Sequence, residues 1–208
     1  MNIGIPVLNR YDKLELCIQS IRESTIPAKI TIVDNGGKLS PELDFSVMHP
    51  GRNLGVAKSW NLLLQTIEEP LIICNDDIEF GKNDIKSFYD AYQTSDAGVF
   101  YTDNIEFLNM FSCFMIRPAT IEKIGYFDEE FYPAYFEDCD YFWRMTLADI
   151  KWQSIPTNIQ HTSSSTLAAY TDAQMKQHHE DFRRNRGYYV RKWGNEPKFE
   201  KYRTAFNR

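Results

Sequence analysis

The chain has 208 residues and a formal net charge of −6, and 43% of its residues are hydrophobic. A chain of this length can bury a substantial core within a single domain. Its negative charge argues against a nucleic-acid partner for the chain as a whole, because neutralising phosphates needs a surplus of Lys and Arg. We therefore expect one globular domain, no nucleic acid among its partners, and at most a local basic patch.

The cysteines and the apolar runs bear on the compartment. Four cysteines lie far apart without a CxxC pair, so we expect buried free thiols at Cys17, Cys74, Cys113 and Cys139. No apolar run approaches the roughly 18 residues of a membrane span. The opening MNIGIPVLNR lacks the charged start and long apolar core of a signal peptide. These patterns predict a cytosolic, reducing compartment and no transmembrane segment.

The first half of the chain alternates predicted strands and helices. NIGIPVL, KITIV and LIIC are short β-rich runs, and apolar residues recur at helical spacing between them. This alternation predicts an α/β fold with a mostly parallel central sheet flanked by helices. The predicted inward positions are Leu14, Cys17, Ile18 and Ile21 in the first helix and Val56, Trp60, Leu63, Leu64 and Ile67 in the second.

The second half is less regular. Ile85, Phe88 and Tyr92 predict a helix, AGVFY, FSCFMI and KWQSI predict strands, and PATIEKIG and EDCDYFWRMTLAD predict two further helices. From about Thr171 the chain is polar and predicted helical, and residues 183–208 hold nine Lys or Arg against two Glu. Such a charged terminal helix is usually a solvated face.

Polar side chains follow each strand of the first half. Asn9, Asp34 and the run Asn75-Asp76-Asp77 stand at the carboxyl ends of the three predicted strands. Parallel sheets bind ligands at that edge. Paired carboxylates after a buried strand suit Mg²⁺ or Mn²⁺, which take carboxylate and phosphate oxygens. A solvated acidic turn is the alternative explanation.

A second acidic pair, Glu137-Asp138, opens the predicted helix EDCDYFWRMTLAD. The positive end of the helix dipole favours an ionised carboxylate there, whereas the aromatic residues before it favour a desolvated pocket that raises the pKa toward the range of a general base. A simple helix cap is equally compatible with the pattern. A lone His161 follows KWQSIPTNIQ, and His178 and His179 are predicted to lie on a solvated helix face.

Seven stretches, in this order, resemble glycosyltransferase family 2 enzymes of the GT-A fold, especially the rhamnosyltransferase-like group. They are IPVLNR, IVDNG, RNLGVAKSWN, CNDDIEF, IGYFDEEFYPAYFEDCDYFWR, His161 with its Ser/Thr run, and NRGYYVRKWG. The match spans nearly the whole chain, and its opening is also similar to a glycosyltransferase domain of chlorella viruses.

The resemblance implies a nucleotide-sugar site. Pro6, Asn9 and Arg10 would line the nucleotide pocket, Asp34 would accept a hydrogen bond from a pyrimidine ring, and Asn53 would lie near the base or ribose. Lys58 is a looser candidate for the diphosphate. These residues belong to a nucleotide-binding half of about residues 1–80, which would precede an acceptor half of about 81–170 and a helical extension, 171–208, packed on the core.

The resemblance also implies the metal and the base. Asn75-Asp76-Asp77 occupies the place of the family's DxD motif but departs from it at Asn75, so Asp77 becomes the best metal ligand and Asp76 lies nearer the ribose or a metal-bound water. His161 would help bind the metal or the diphosphate. Asp138 matches the catalytic base. In the tail, Tyr188, Tyr189 and Trp193 are expected to be structural.

The expected function is inverting transfer of a sugar from a nucleotide-sugar donor to a hydroxyl of a glycan or glycoprotein, with Mn²⁺ or Mg²⁺. The resemblance implies UDP as the nucleotide, with dTDP as the second choice, and rhamnose or glucose as the sugar. Two alternatives stay open. A nucleotidyltransferase would usually carry a Gly-rich phosphate loop near its amino terminus, and IPVLNRYDK is not one. A non-catalytic nucleotide-sugar-binding module would share the fold without turnover.

Overall fold

The computed structural model describes residues 1–40, 44–103, 107–161, 167 and 170–208, without the side chains of 107–109. A seven-stranded sheet runs through the described part of the chain in the order β3-β2-β1-β4-β7-β6-β8. Strand β7 is antiparallel to both neighbours and the other neighbouring pairs are parallel. These strands are β1 (Asn2–Val7), β2 (Lys29–Asp34), β3 (Ser46–Met48), β4 (Leu71–Cys74), β6 (Val99–Thr102), β7 (Cys113–Ile116) and β8 (Trp152–Ile155).

A small second sheet pairs β5 (Ile78–Glu79) with β9 (Gln160–His161) in antiparallel fashion. The described helices are α1 (Tyr11–Arg22), α2 (Val56–Thr66), α3 (Asp84–Thr94), α4 (Pro118–Ile124), α5 (Glu137–Leu147) and α6 (Asp172–Trp193). Short 3₁₀ helices cover Phe107–Ser112 and Ala205–Asn207. The α/β class and each predicted strand and helix are confirmed.

The sheet is covered on both faces because successive strand residues point to opposite sides. Ile72 and Cys74 of β4 pack into a core cluster with α1 and α3, whereas Leu71 and Ile73 pack into a second cluster with α2 and α5. Each fully buried Ile or Leu contributes about 1.5–3 kcal/mol of hydrophobic stabilisation. The two clusters therefore fix the helices on either side of β4, the strand that ends just before Asn75.

Helix α2 approaches the sheet closely at Gly4 in β1. A Cβ atom added at Gly4 would lie 2.9 Å from both terminal methyl carbons of Leu63, which is closer than packed carbon atoms allow. The absence of a side chain at Gly4 thus lets α2 pack closely against the middle of β1.

Helix α6 begins with a capping box between Thr171 and Gln174 and packs on the loop before α5. Phe131, Phe136, Tyr189 and Trp193 form the cluster between them. The Tyr188 hydroxyl donates a hydrogen bond to Asp128 at 2.9 Å. The three tail aromatics are therefore packed or hydrogen-bonded against the core, as the sequence predicted.

The expectation of a solvated basic face is wrong at Lys192. This side chain is 9% exposed and lies 2.6 Å from Asp128 and 2.5 Å from Asp140, while Trp193 Nε1 donates to Asp140 at 2.8 Å. Helix α6 is thereby tied to α5.

The thiols of Cys17, Cys74 and Cys113 are buried and free, and Cys139 is free and partly buried, which confirms the sequence prediction for three of the four. Within the described ranges, no helix is long and apolar enough to cross a membrane.

Candidate active site

A cleft of about 380 Å³ opens at the carboxyl edge of β1 and β4. Its walls come from the ends of these strands, the start of α2, the start of α5, strand β9 and helix α6. Seven of the residues predicted for the site line it together, namely Pro6, Asn53, Asn75, Asp76, Asp77, Asp138 and His161. The fold therefore brings to one place residues that lie up to 155 positions apart in the sequence, from Pro6 to His161.

Asp76 and Asp77 are buried in this cleft, at 7% and 6% exposure. Burial raises the pKa of Asp76 to about 7, and the charge of Asp77 adds to this effect while the charge of Arg10 opposes it. A solvated acidic turn would not produce such a shift, because water would screen the two charges. The arrangement favours the ligand-binding explanation over the solvated turn.

His161 reaches Asp77 through the small sheet. The register pairs Ile78 with His161, so the histidine stands beside the residue that follows Asp77. Its Nε2 atom lies 3.2 Å from Asp77 Oδ1. A carboxylate and an imidazole thus converge on one point of the cleft wall.

Asp138 lies in the first turn of α5, behind two residues with left-handed backbone. Tyr135 has φ = 78° and Phe136 has φ = 73°, values that cost of order 1–3 kcal/mol for such side chains. This turn directs the start of α5 toward the cleft. Asp138 Oδ1 accepts a hydrogen bond from the Cys139 backbone N–H at 2.7 Å, so the carboxylate also serves one free N–H of the helix start.

Two effects act in opposite directions on the pKa of Asp138: the helix start lowers it and desolvation raises it. Desolvation is the larger effect. Burial raises the pKa of Asp138, although the hydrogen bond from the Cys139 backbone N–H opposes the shift. Glu137 is 5% exposed, and burial together with the charge of Asp138 raises its pKa well above the usual range. Within the described part of the chain, Glu137 Oε2 has no hydrogen-bond partner.

The loop before α2 shapes the opposite wall. Gly55 has φ = 78°, and a Cβ atom there would lie 2.7 Å from the Pro133 carbonyl oxygen, which accepts from the Val56 N–H at 2.7 Å. The Asn53 side chain accepts from the Gly55 N–H at 2.9 Å, and Asn35 accepts from the Leu54 N–H at 2.8 Å. The loop is thus held between the end of β2 and the approach to α5.

Four predicted donor-site residues are absent from the described lining, namely Asn9, Arg10, Asp34 and Lys58. Lys58 Nζ lies 3.0 Å from Glu129. Arg10 pairs with Asp12 at 2.7 Å, and its charge acts on both Asp76 and Asp77.

Asp34 is 1% exposed and is already hydrogen-bonded. Its oxygens accept from the Tyr11 hydroxyl at 2.6 Å and from the N–H groups of Gly37 and Leu39 at 2.9 and 2.8 Å, and His49 lies 3.4 Å away. Burial acts to raise the pKa of Asp34, but these hydrogen bonds outweigh it and lower the pKa. A nucleobase would have to displace one of these donors.

Several lining residues were not predicted for the site. Asn35 and Glu137 adjoin predicted residues, and the acidic pair itself was a signal for Glu137. Tyr135, Tyr170, His178 and Asp181 also line the cleft, and no sequence pattern marks them. The expectation for His178 is wrong, because it is partly buried in the cleft wall, whereas His179 is exposed as expected.

The carboxylate of Asp77 and the imidazole of His161 suit a hard divalent cation that takes its remaining ligands from a substrate and from water. Across the described ranges, no group of three or more His, Cys, Asp or Glu side chains is arranged to hold a metal ion. Asp77 and His161 supply two donors, and Mg²⁺-type sites are commonly completed by substrate phosphates and water. No Lys or Arg is among the described lining residues.

Known proteins resemble the chain in sequence over a short stretch. No family model matches it. A galactofuranosyl glycosyltransferase of Leishmania donovani is 41% identical over 83 residues, which are 39% of this chain and 17% of that protein. The chain thus aligns with less than a fifth of that relative's length.

Solved structures resemble the chain over most of its length. The mannosyltransferase PcManGT from Pyrobaculum calidifontis superposes with a TM-score of 0.63 at 12% identity, over 94% of this chain and 65% of that one. TarS 1–349 from S. aureus has a TM-score of 0.59 at 14% identity, over 91% of this chain and 72% of that one. The fold is therefore that of the GT-A glycosyltransferases, as the sequence resemblance implied.

Proposed function

We propose that the chain is an inverting, family 2-like glycosyltransferase that moves a sugar from a nucleotide-sugar donor to a hydroxyl of a glycan or glycoprotein acceptor. One observation carries the proposal: a single cleft has Asp76, Asp77 and His161 on one wall and Asp138 on another. Direct displacement at a sugar carbon needs a site for the leaving diphosphate and a base for the attacking hydroxyl. The two walls offer candidates for these tasks.

In this reaction the acceptor oxygen bonds to the anomeric carbon as the bond from that carbon to the diphosphate oxygen breaks. Attack from the opposite side inverts the configuration of the carbon. The nucleoside diphosphate leaves with the electron pair of the broken bond, and the hydroxyl proton passes to Asp138. A base works best when its pKa lies near the working pH, and burial moves the pKa of Asp138 in that direction.

Asp77 and His161 would hold Mn²⁺ or Mg²⁺, with Asp76 beside them at the ribose or a metal-bound water. A bound divalent ion would stabilise negative charge on the leaving diphosphate as a Lewis acid. The PcManGT structure is a complex with GDP-Man and Mn²⁺, and TarS has been solved with UDP and with UDP-GlcNAc. These neighbours support a nucleotide-sugar donor and a metal for this chain.

The finer parts of the proposal follow the sequence resemblance. The nucleotide is UDP and the sugar rhamnose or glucose, as in the rhamnosyltransferase-like group. Residues 1–80 bind the nucleotide, 81–170 the acceptor, and 171–208 extend the core. The compartment is the cytoplasm, that of a host cell if the chain is viral.

A thermal-shift panel tests donor and metal together. UDP-rhamnose, UDP-glucose, UDP-GlcNAc, dTDP-rhamnose and GDP-mannose are added with Mn²⁺, with Mg²⁺ or with EDTA. A ligand at 100 times its Kd stabilises the folded state by about 2.7 kcal/mol, so the true donor raises Tm when the metal is present. No shift with any donor would contradict the proposal.

The products then separate the alternatives. Release of nucleoside diphosphate that an acceptor accelerates identifies a glycosyltransferase. Release of pyrophosphate from a sugar phosphate and a nucleoside triphosphate would identify a nucleotidyltransferase. Binding without turnover would identify a nucleotide-sugar-binding module.

A further inference from the structure

One end of the cleft is built by residues that the proposed donor site does not use. The His178 ring lies 5.2 Å from the Tyr135 ring and 6.2 Å from the Tyr170 ring, both in edge-on contact. Asp181, one helical turn after His178, is 9% exposed and lines the same wall. We refer to these four residues as the aromatic end of the cleft.

Asp181 keeps one oxygen available. Its Oδ1 atom accepts from Gln177 at 3.2 Å and from Arg184 at 2.5 Å. Within the part of the chain that the structure describes, no hydrogen bond reaches its Oδ2 atom. The aromatic end therefore combines apolar ring surface with a carboxylate oxygen that can accept a hydrogen bond from a hydroxyl group of a ligand. Small-ligand sites use this combination for orientation and specificity.

We propose that the aromatic end is the acceptor subsite and that it takes a neutral sugar ring. This inference rests on the proposed function and assigns part of the acceptor site to the carboxyl-terminal helix α6. The ring packs against Tyr135, Tyr170 and His178, and one of its hydroxyls donates to Asp181. Another hydroxyl then faces Asp138.

The position of Tyr135 supports the acceptor over the donor. It lies three residues before Asp138 at the start of α5, on the wall that carries the proposed base. The strand ends with Asp76 and Asp77 contribute the other wall, where the diphosphate is expected. A sugar held at the aromatic end is thus on the side from which the attacking hydroxyl must come.

The charges support a neutral ring over a phosphorylated or acidic one. Asp138 and Asp181 both face this part of the cleft, and the described lining contains no Lys or Arg. Arg184, the cationic partner of Asp181 at 2.5 Å, is itself not among these lining residues. An anionic acceptor would therefore approach Asp138 and Asp181 without a Lys or Arg in the described lining to contact it, which like-charge repulsion opposes.

A second groove is the competing place for the acceptor. It measures about 170 Å³, lies along α5 and also reaches Asp138, and its walls include Phe142, Trp143 and Thr146. It is lined mainly by apolar groups and suits a hydrocarbon better than a ring of hydroxyls. Thr146 is exposed at its edge, so Thr146→Trp would fill this groove without altering the cleft.

The test compares two adjacent histidines. His178→Ala removes a lining ring, whereas His179→Ala removes its exposed neighbour and is the matched control. Two further single variants, Asp181→Asn and Thr146→Trp, complete the set. All four variants are assayed separately for transfer to p-nitrophenyl glycosides and to their 6-phosphates. Hydrolysis of the donor without an acceptor and donor KM are measured in parallel.

We expect His178→Ala to raise acceptor KM roughly two- to tenfold, the effect of losing one aromatic contact, with donor KM and acceptor-free hydrolysis unchanged. Asp181→Asn should raise acceptor KM and narrow the preference for the neutral glycoside over its 6-phosphate. His179→Ala should behave as wild type.

Equal acceptor KM in the two histidine variants would overturn the proposal, as would a raised donor KM in His178→Ala. A raised acceptor KM in Thr146→Trp alone would assign the acceptor to the second groove. If wild-type protein turned over no nucleotide sugar, the proposed function itself would fail, which is a different result from a misplaced subsite.

Discussion

The two acidic pairs of the cleft look alike in sequence but differ in their surroundings. Asp76-Asp77 follows a buried strand, and His161 and the charge of Arg10 act on it. Glu137-Asp138 opens a helix, and its raised pKa values are opposed by backbone hydrogen bonds and, at Asp138, also by a hydrogen bond from the Cys139 side chain. Both pairs are desolvated, but among the residues that the structure describes only the strand-end pair has cationic or metal-ligating neighbours.

This difference indicates which positive charge, a metal cation or a proton, each acidic pair can bind. A pair of buried carboxylates needs positive charge, and it obtains this from a cation or from a proton. The strand-end pair, with an imidazole at 3.2 Å, is suited to a metal cation. The helix-start pair, for which the described residues supply no such partner, is suited to binding and releasing a proton. Four predictions test this division.

The largest effect is expected from Asp138→Asn. Its amide oxygen can still accept from the Cys139 N–H, so the helix start should stay intact, but the base is lost. Sugar transfer should fall by roughly 10²–10⁴-fold with donor affinity nearly unchanged. Steady-state kinetics and donor titration measure the two quantities, and equal loss of both would make Asp138 structural.

Asp77→Asn should come next. It removes the charge that faces His161, and metal-dependent donor affinity should fall by at least ~10–100-fold, the range seen even for residues behind metal ligands. Glu79→Gln, two residues on and outside the described lining, is the matched control. Titration with Mn²⁺ and with EDTA measures the affinities. If metal-dependent binding of the donor were undiminished in Asp77→Asn, Asp77 would not be a metal ligand.

Glu137→Gln should change the pH dependence of stability. The pKa of Glu137 is raised in the folded state, so the folded protein binds more protons above the ordinary Glu pKa and its free energy of unfolding falls as pH rises through that window. One such group contributes a slope of about 1.4 kcal/mol per pH unit. Denaturant unfolding at several pH values should show a flatter profile in the variant.

The same variant should keep most of its transfer activity, because Gln resembles the neutral acid in shape and charge. It is therefore the control for Asp138→Asn. A loss as large as in Asp138→Asn would mean that Glu137 acts in its ionised form, and an unchanged pH slope would mean that it is not protonated in the folded protein.

The smallest effect is a displaced limb of the pH-rate profile. Because burial raises the pKa of Asp138, the ionised base should be lost as pH falls through a value above the ordinary Asp range, and kcat/KM for transfer should fall below that pH. Solvent-accessible carboxylates would place this limb near pH 4. A limb at that lower pH would argue against a desolvated base.

Much of the fold is determined by local sequence. The spacing of Leu14, Cys17, Ile18 and Ile21 predicts the buried side of α1 correctly, and LIIC predicts β4. Both are periodic patterns that a chain must satisfy to bury apolar side chains on one face of an element. The strand ends then follow, which is why Asn9, Asp34 and the run Asn75-Asp76-Asp77 were predicted at one edge.

Other features depend on tertiary structure because they involve residues distant in sequence. His161 meets Asp77 only through the pairing of β5 with β9, a register that neither two-residue strand encodes alone. His178 enters the cleft because Lys192 and Trp193 tie α6 to Asp140 of α5. Desolvation of Asp138 likewise comes from the packing around α5. The sequence by itself determined most of the strands and helices, the polar strand ends and the acidic pairs. Tertiary packing decided which acidic pair gained a histidine and which has none among the described residues, since burial and charge contacts are set by distant neighbours.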